Sequence, residues 1–292
     1  MDVKNINSRD NYYVRILLYV SKCKYNMENL PKLIDCKISL NNNIALLNFN
    51  RDDVRNALTG TEIVNDIVKT VHWINKNHQV AVLVITGEGA AFSSGGNIKD
   101  MAERSGDFAG NVQTLEKKYR EGIQQMPLAM NKLEVPVIAA INGPAIGAGF
   151  DLANMCDIRL ASTKAKFGET FANLGLIPGD GGAWFMQRII GYQKAAELTF
   201  TGRVINASEA KEIGIVLNTV EPQDLMVKAM NLASDIANKP TASLRLTKRL
   251  MKMAQRTELA DFLDICAVFQ GMCHNNPEHL DAVNELMAKL AK

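Results

Sequence analysis

Apolar and polar side chains in the first third of the chain follow two different periods. From Asp35 the segment KISLNNNIALLNFN alternates apolar and polar residues on both sides of an asparagine-rich turn, which predicts a β-hairpin. The next segment, residues 59–77, places Ile63, Ile67, Val71 and Ile74 at helical spacing. One amphipathic helix is therefore predicted directly after the hairpin.

Three continuous apolar runs predict strands that are buried on both faces. Helical patterns separate some of these runs, notably over residues 111–133, and after about Gly202 the chain is helical to its end. Strands that alternate with helices indicate an α/β fold with mainly parallel strands. The three runs are VAVLVITG (80–87), VPVIAAING (135–143) and CDIRLAS (156–162).

Composition excludes several classes of protein. The 292 residues are 47% hydrophobic and carry a net charge of +2, so neither a nucleic acid nor a membrane partner is expected. Five cysteines without a CxxC pair favour a reduced, cytoplasmic compartment over a disulfide scaffold. A short apolar segment at 14–25 has no cleavage site after it, and residues 1–27 are predicted to be a poorly ordered extension.

Two glycine-rich loops follow apolar strands and precede helical patterns. They are GEGAAFSSGGNIKDM (87–101) and NGPAIGAGFDLA (142–153). Such loops present free backbone N–H groups at a helix N-terminus, where negative charge is stabilised. Neither loop is GxGxxG, and the chain has no GxxxxGK[ST], so the motifs do not predict a dinucleotide site or a P-loop.

These loops, together with AKFGETFANLGLIPGDGG and FTGRVINASEAKEIGIV, resemble the enoyl-CoA hydratase/isomerase (crotonase) superfamily from about Ile38 to the C-terminus. The resemblance implies an α/β fold, a crotonase-type spiral of ββα units with a C-terminal helical trimerisation region. It divides the chain into the extension, a core at 28–220 and a helical region at 221–292. It also implies an acyl-CoA thioester as substrate, no cofactor beyond the coenzyme A of that substrate, and self-association as trimers or hexamers.

Carried onto this chain, the resemblance implies that the backbone N–H groups of Gly96 and Ala148 hold the thioester oxygen. Chemistry beside a thioester passes through an enolate, whose oxygen needs preorganised donors. The same comparison places Ser94 and Ile98 near the adenine end of coenzyme A. Lys99 follows them, either as a phosphate contact or as a solvated lysine, and Gly149 is a further candidate in the second loop.

Two glutamates add water in the hydratases of this family, and neither is present here. The first position carries Asp151, and the second carries Phe171, which transfers no proton. Two other acids are available as substitutes. Asp180 is either a catalyst or a helix N-cap, one residue after the position of a functional aspartate in some relatives. Glu169, which shares a face with Phe171 if the segment is extended, is assigned a structural or rim position.

The predicted activity is that of an enoyl-CoA hydratase, with Asp151 as principal acid/base and Asp180 as its partner. An isomerase that shifts the double bond with one carboxylate is the first alternative, and a non-catalytic acyl-CoA- or RNA-binding member of the fold is the second. The four histidines lie outside the loops, so neither a metal site nor a Ser-His-Asp triad is expected. The basic side of SLRLTKRLMK is expected to face solvent, with a coenzyme A phosphate as the less favoured partner.

Overall fold

The computed structural model describes residues 30–291, so the predicted extension at 1–27 lies outside the described residues. Nine strands within them build two sheets. The strands are β1 (Cys36–Asn41), β2 (Ile44–Phe49), β3 (Val82–Gly87), β4 (Val137–Ile141), β5 (Ala145–Ile146), β6 (Ile158–Ser162), β7 (Lys166–Gly168), β8 (Val204–Asn206) and β9 (Asn218–Val220).

Twelve α-helices accompany the strands in the described part of the chain, together with short 3₁₀ turns such as Thr170–Leu174. The helices are α1 (Ile63–Lys76), α2 (Ile98–Glu103), α3 (Val112–Glu121), α4 (Gln125–Lys132), α5 (Ala148–Met155), α6 (Gly182–Ile190), α7 (Tyr192–Thr201), α8 (Ala207–Glu212), α9 (Leu225–Ala237), α10 (Thr241–Met253), α11 (Leu259–His274) and α12 (Pro277–Leu290).

The larger sheet has the strand order β1-β2-β3-β4-β6-β9 and is parallel except for its first pair. That first pair is the predicted hairpin. Its turn residues Asn42 and Asn43 have φ of 48° and 64°. Asparagine tolerates this left-handed conformation, which a two-residue hairpin of matching twist requires. The prediction of a hairpin followed by mainly parallel strands is confirmed.

Both faces of the larger sheet are covered. Along β3, Leu83 and Ile85 belong to the core on the side of α1, whereas Val82 and Val84 pack with α9 on the other side. All six residues of β3 are buried, as the continuous apolar run predicted. The predicted stripe of α1 is likewise buried, because it supplies the first of these two cores.

The predicted helical stretch at 111–133 is two helices, α3 and α4, separated at Gly122. The N–H group of Gly122 still donates to the carbonyl of Lys118, but its φ of −103° and ψ of −110° end the helix. In the turn that follows, Nε2 of Gln124 donates to the carbonyl of Gly179 at 2.8 Å. The break therefore supports the loop that carries Asp180.

A second, small sheet in the order β5-β7-β8 brings the functional loops together. Ser93, in the first glycine loop, pairs with Ala145 of β5, so that loop lies beside the start of the second one. The strand β7 pairs with β5 on its other edge, and this places the Glu169 segment next to both loops.

The expectation that the basic side of SLRLTKRLMK faces solvent is wrong. Arg245 and Lys248 of α10 are buried, and their charges are directed at the sheet. Arg245 donates to the carbonyls of Ile74, Asn77 and Val80 at 3.0, 2.9 and 3.2 Å and pairs with a carboxylate. Lys248 donates to a backbone carbonyl at 2.7 Å and pairs with Asp157. These cations fix α10 to the core and are not available to a ligand.

Candidate active site

A cavity of about 570 Å³ lies where the two glycine loops meet α1, α3 and the Asp180 loop. Four of the predicted site residues line it, with apolar and aromatic side chains around them. The predicted residues are Gly96, Ala148, Phe171 and Asp180; the surrounding side chains include Leu58, Val64, Met101, Phe108, Tyr119, Ile123 and Leu176. Charged side chains, among them Arg51, Glu62 and Lys118, complete the lining.

The two glycine loops touch so closely that side chains are excluded between them. A Cβ on Gly95 would overlap the carbonyl oxygen of Ile146 and would lie 3.0 Å from the backbone nitrogen of Ala148. Gly95 also has φ of 76°, which few other residues adopt. On the other loop, a Cβ on Gly149 would overlap the carbonyl oxygen of Ser93. Glycine at both positions lets the loops approach backbone to backbone.

This approach brings two free amides to the same wall. The N–H groups of Gly96 and Ala148 donate to no backbone or side-chain acceptor within residues 30–291, and both residues line the cavity. Ala148 is the first residue of α5, so the helix itself gives its N–H group no partner. The pair can bind one oxygen that carries developing negative charge.

Three carboxyl groups meet beside these amides. Asp151 comes from the first turn of α5, Glu169 follows β7, and Asp180 precedes α6. Asp151 and Glu169 are 0% exposed and Asp180 is 3% exposed. None of their six carboxyl oxygens accepts a hydrogen bond from a backbone N–H group, a side-chain N–H group or a hydroxyl group of the described chain. Asp151 lies in the middle, within hydrogen-bonding reach of both neighbours.

The environment of the three acids favours their protonated forms. Burial raises the pKa of Asp151 well above its ordinary value, and the charges of Asp180 and Glu169 raise it further. Burial raises the pKa of Glu169 to about 7, although a hydrogen bond with Asp151 acts in the opposite direction. The pKa of Asp180 is raised by burial too.

Comparisons with known sequences and structures identify the family to which the chain belongs. A family model described as enoyl-CoA hydratase/isomerase matches residues 39–284. The chain belongs to this family. It is 33% identical to a crotonyl-CoA hydratase of Syntrophomonas wolfei over 84% of this chain and 92% of that protein. It is 30% identical to the 1,2-epoxyphenylacetyl-CoA isomerase of Escherichia coli, again over 84% and 92%.

Solved structures agree with the family assignment. The crystal structure of an enoyl-CoA hydratase from Bacillus anthracis superposes with a TM-score of 0.81 at 29% identity, covering 88% of this chain and 97% of the other. The crotonase-type α/β fold predicted from the motifs is thus confirmed, and the protein is an enzyme of the hydratase/isomerase type.

Phe171 lines the cavity of this enoyl-CoA hydratase/isomerase family member. It stands at the position where the sequence comparison predicted the second acid. Its ring lies beside Gly147, since a Cβ on that glycine would be 3.7 Å from Cζ of Phe171. The side chain is part of the 3₁₀ turn Thr170–Leu174 and packs against the main core. An apolar ring therefore faces the cavity at this point.

The structure also corrects the prediction for Glu169. The segment after β7 is a 3₁₀ turn and not an extended strand, so Glu169 and Phe171 do not share a face. Glu169 turns inward to Asp151, and a rim position is excluded by its complete burial. The motif FGETF was the sequence feature that pointed to Glu169 as a site residue. The direction of its side chain, however, depends on the local backbone conformation, which the motif does not give.

The alternative of Asp180 as a helix cap is wrong. The N-cap of α6 is Gly181, with no side-chain hydrogen bond, and both oxygens of Asp180 are without a hydrogen-bond donor in residues 30–291. Tyr119 was not predicted. It lines the cavity from α3, and burial together with the charge of Asp180 raises its pKa. Nothing in the helical pattern around it singled it out.

Five other predicted residues, Asp151 among them, do not line the cavity. Ser94 is bound to the preceding loop, because its N–H group donates to the carbonyl of Arg55 at 3.0 Å. Ile98 and Lys99 begin α2 on the exposed surface, and Gly149 is the close-packing glycine described above. In the described part of the chain, no three His, Cys, Asp or Glu side chains are arranged to hold a metal ion. No helix there is long and apolar enough to cross a membrane.

Proposed function

We propose that this enzyme is an enoyl-CoA hydratase, which adds water across the C2=C3 double bond of a 2-enoyl-CoA. The observation that carries the proposal is the grouping on one cavity wall of two free amides and a carboxyl pair. Gly96 and Ala148 face the same space as Asp180, and Asp151 lies directly behind Asp180. Asp180 thus supplies the second acid that Phe171 removes from the family's usual position.

The two amides stabilise the intermediate. As water adds to C3, the electrons of the double bond move toward the thioester oxygen, which becomes an enolate oxygen between Gly96 and Ala148. Because both N–H groups have no partner within the described residues, they need not exchange an existing protein hydrogen bond for the new one. Removing one such donor typically costs about 3–4 kcal/mol of transition-state stabilisation.

The two aspartates divide the proton transfers. Burial and the charges of the two neighbouring acids raise the pKa of Asp151 well above its ordinary value, and we assign it as the acid that protonates C2. Asp180 is at the cavity wall and, once ionised, is the base that takes a proton from water as the C3–O bond forms. One proton leaves the site and one enters it, which balances the addition. A pair of acids with different pKa values is what simultaneous acid and base catalysis requires.

This chemistry requires no redox or electrophilic cofactor, and coenzyme A enters only as part of the substrate. In this proposal Ser94, Ile98 and Lys99 contact the adenine end of the substrate outside the cavity. The compartment is cytoplasmic, since Cys36, Cys156, Cys266 and Cys273 are all free thiols in the described chain.

The remaining proposals concern assembly and domain division. The chain divides into a core at 28–220 and a helical region at 221–292, and it self-associates as a trimer or hexamer through α11 and α12. Neither helix has a buried residue, yet both expose large apolar side chains. These are Leu259, Leu263, Val268, Leu280, Leu286, Met287 and Leu290.

Double-bond isomerisation is the second candidate. Phe171 presents an apolar ring where a hydratase of this family uses an acid, and this makes part of the wall unsuitable for holding water. A single carboxylate can remove a proton from C2 of a 3-enoyl-CoA and return it to C4, which gives the 2-enoyl-CoA.

One experiment separates the two reactions. The purified chain is incubated in ¹⁸O-water with crotonyl-CoA and, separately, with a 3-enoyl-CoA, and the products are analysed by mass spectrometry. Hydration introduces ¹⁸O into the acyl group of crotonyl-CoA, whereas isomerisation produces the 2-enoyl ester without it. We expect the labelled product, and we expect Asp180→Asn to reduce its rate by at least about 100-fold.

Asp235→Asn, an exposed aspartate on α9, is the matched control and should leave the rate unchanged. Unlabelled 2-enoyl product from the 3-enoyl ester alone would replace the hydratase with the isomerase. Binding of both esters without turnover of either would overturn both reactions in favour of a non-catalytic role.

A further inference from the structure

Glu169 is a fully buried carboxyl group that the proposed mechanism does not use. Neither Glu169 nor Asp151 lines the cavity, and the proposed mechanism gives Glu169 no contact with the substrate. Its side chain nevertheless lies against Asp151, the proposed acid. The two groups belong to different elements, the end of β7 and the first turn of α5, and only the packing of the small sheet brings them together.

The contact between these two carboxyl groups depends on a glycine in a third element. Gly182 begins α6, and a Cβ on it would overlap Oδ1 of Asp151 and Oε1 of Glu169. The two oxygens therefore occupy the volume that any other residue would fill with its own side chain. The two carboxyl groups therefore approach each other in the space beside Gly182.

No charge other than those of the acids balances the cluster. None of the six oxygens receives a donor from residues 30–291, and the salt bridges of that range do not include the three acids. Tyr119, facing Asp180 from α3, is the other ionisable group that acts on the cluster. Two neighbouring anions about 4 Å apart repel by about 4 kcal/mol at an effective dielectric constant of 20. Protons must therefore supply the missing hydrogen bonds.

We propose that Glu169 is a positioning residue that shares a proton with Asp151 and keeps Asp151 in the acid form between turnovers. The inference rests on the proposed function, because it gives Glu169 a role only in relation to the acid of that reaction. After Asp151 has given its proton to C2, the O–H bond of Glu169 breaks and a new O–H bond forms on Asp151. Glu169 is then a carboxylate. It regains its proton through Asp151: the O–H bond of Asp180 breaks as that proton moves to one oxygen of Asp151, and the O–H bond on the other oxygen of Asp151 breaks as its proton returns to Glu169.

The substitution Glu169→Gln tests this role through the pH dependence of kcat. An amide has no proton to transfer, carries no negative charge, and donates an N–H bond that stabilises the carboxylate form of Asp151. The second and third changes lower the pKa of Asp151, so activity is lost at a lower pH than in the parent chain. We expect the alkaline limb of the kcat profile to move down by about one pH unit or more, with KM changed less than about twofold.

Two variants provide the comparison. Glu169→Asp keeps a carboxyl group at a slightly greater distance and should move the limb in the same direction by less than Glu169→Gln. Glu212→Gln replaces an exposed glutamate of α8 and should not move it. A uniform loss of kcat in Glu169→Gln, with the limb in its original place, would show a purely structural role and overturn the proposal. If Glu169→Gln does not fold, the alkaline limb of the kcat profile of Glu169→Asp is the test: a limb moved to lower pH supports the proposal, and an unmoved limb overturns it.

A measurement that does not depend on turnover separates this proposal from the proposed function. Infrared spectra of the full chain report the C=O band of protonated carboxyl groups. At pH 7 we expect such a band in the parent chain, and we expect it to disappear at a lower pH in Glu169→Gln. Absence of the band at pH 7 overturns proton sharing. The expected band in a chain that converts neither enoyl ester leaves proton sharing in place and removes the hydratase.

Discussion

Two aspartates with the same burial and the same helical position have opposite surroundings. Asp66 lies in the first turn of α1 and Asp151 in the first turn of α5, and both are 0% exposed. Oδ2 of Asp66 accepts hydrogen bonds from three successive backbone N–H groups, those of residues 34, 35 and 36, at 2.8, 2.8 and 3.1 Å. Lys69 donates to Oδ1 at 3.4 Å. Asp151 has two other acids in these places.

The comparison shows that the partners of a buried carboxyl group, and not its burial alone, determine whether it is an anion or keeps a proton. A buried carboxylate with three backbone donors is stabilised as an anion and connects the segment before β1 to α1. A buried carboxyl group surrounded by carboxyl groups keeps a proton and is ready to give it up. The first arrangement stabilises the fold, whereas the second costs stability and is retained for the chemistry that it allows.

The basic residues of α10 belong with Asp66 in this comparison. Arg245 and Lys248 are buried too, and each has carbonyl and carboxylate partners. The buried cations of α10 thus have acceptors, whereas the three acids beside the cavity have no donor among the described residues.

Replacing Asp151 by asparagine should produce the largest effect, and it should act on activity and stability in opposite directions. The amide gives no proton to C2, so we expect kcat to fall by about 10²- to 10⁴-fold. It also donates N–H bonds to Glu169 and Asp180, which receive none from the described residues of the parent chain. The free energy of unfolding at pH 8 should therefore rise, by about 1 kcal/mol. Steady-state kinetics and urea unfolding measure the two quantities.

An Asp151→Asn chain that unfolds more easily than the parent would contradict this assignment, because it would mean that the carboxyl group has stabilising partners. Unchanged kcat would remove Asp151 from the mechanism. The control for both results is Asp66→Asn. It makes the same substitution at a buried aspartate that is surrounded by donors instead of by acids.

In Asp66→Asn the expected effect is on stability alone. Three hydrogen bonds to a charged acceptor become bonds to a neutral one, and the loss should be about 2–3 kcal/mol of unfolding free energy. Asp66 does not line the cavity, so kcat per folded molecule should stay within about twofold of the parent value. Urea unfolding followed by circular dichroism gives the first value. A stability equal to that of the parent would show that the three short contacts contribute nothing.

Features that depend on neighbouring residues were predicted from the sequence, whereas features that depend on contacts between distant parts of the chain were not. The hairpin turn at Asn42 and Asn43, and the buried strand β3, follow from neighbouring residues and were predicted correctly. The side of α10 that is buried depends on carbonyls more than 160 positions away in the chain, such as that of Ile74, and the prediction was wrong. A helical pattern alone does not show which face meets a set of free carbonyls.

The functional site divides in the same way. Motif spacing brought Gly96, Ala148, Asp151 and Asp180 to attention, and the fold does bring these four together. Their catalytic roles stay predictions. Glu169 was misplaced because its orientation depends on a 3₁₀ turn that replaces an assumed strand. Contact between carboxyl groups from three elements is a tertiary property, and like charges give no sequence signal that they should meet.

Gly182→Ala should have the smallest of the three effects, and it tests whether the space beside Asp151 is full. Alanine is better than glycine in a helix by about 1 kcal/mol, so an unobstructed site would gain stability. Here the new methyl group would overlap Asp151 and Glu169, and neither carboxyl group has an exposed position to move into. We therefore expect a net loss of about 1–2 kcal/mol by urea unfolding, and a loss of kcat of about tenfold because the acid is displaced.

Gly271→Ala is the matched control, because that glycine lies inside α11 and a Cβ on it would meet no atom within 4 Å. Gly271→Ala should raise the free energy of unfolding by up to about 1 kcal/mol, whereas Gly182→Ala should lower it. Equal gains at the two glycines would mean that the carboxyl groups can move apart at no cost. In that case Asp151 would be a mobile group, and its contrast with the firmly bound Asp66 would rest on charge alone and not on packing.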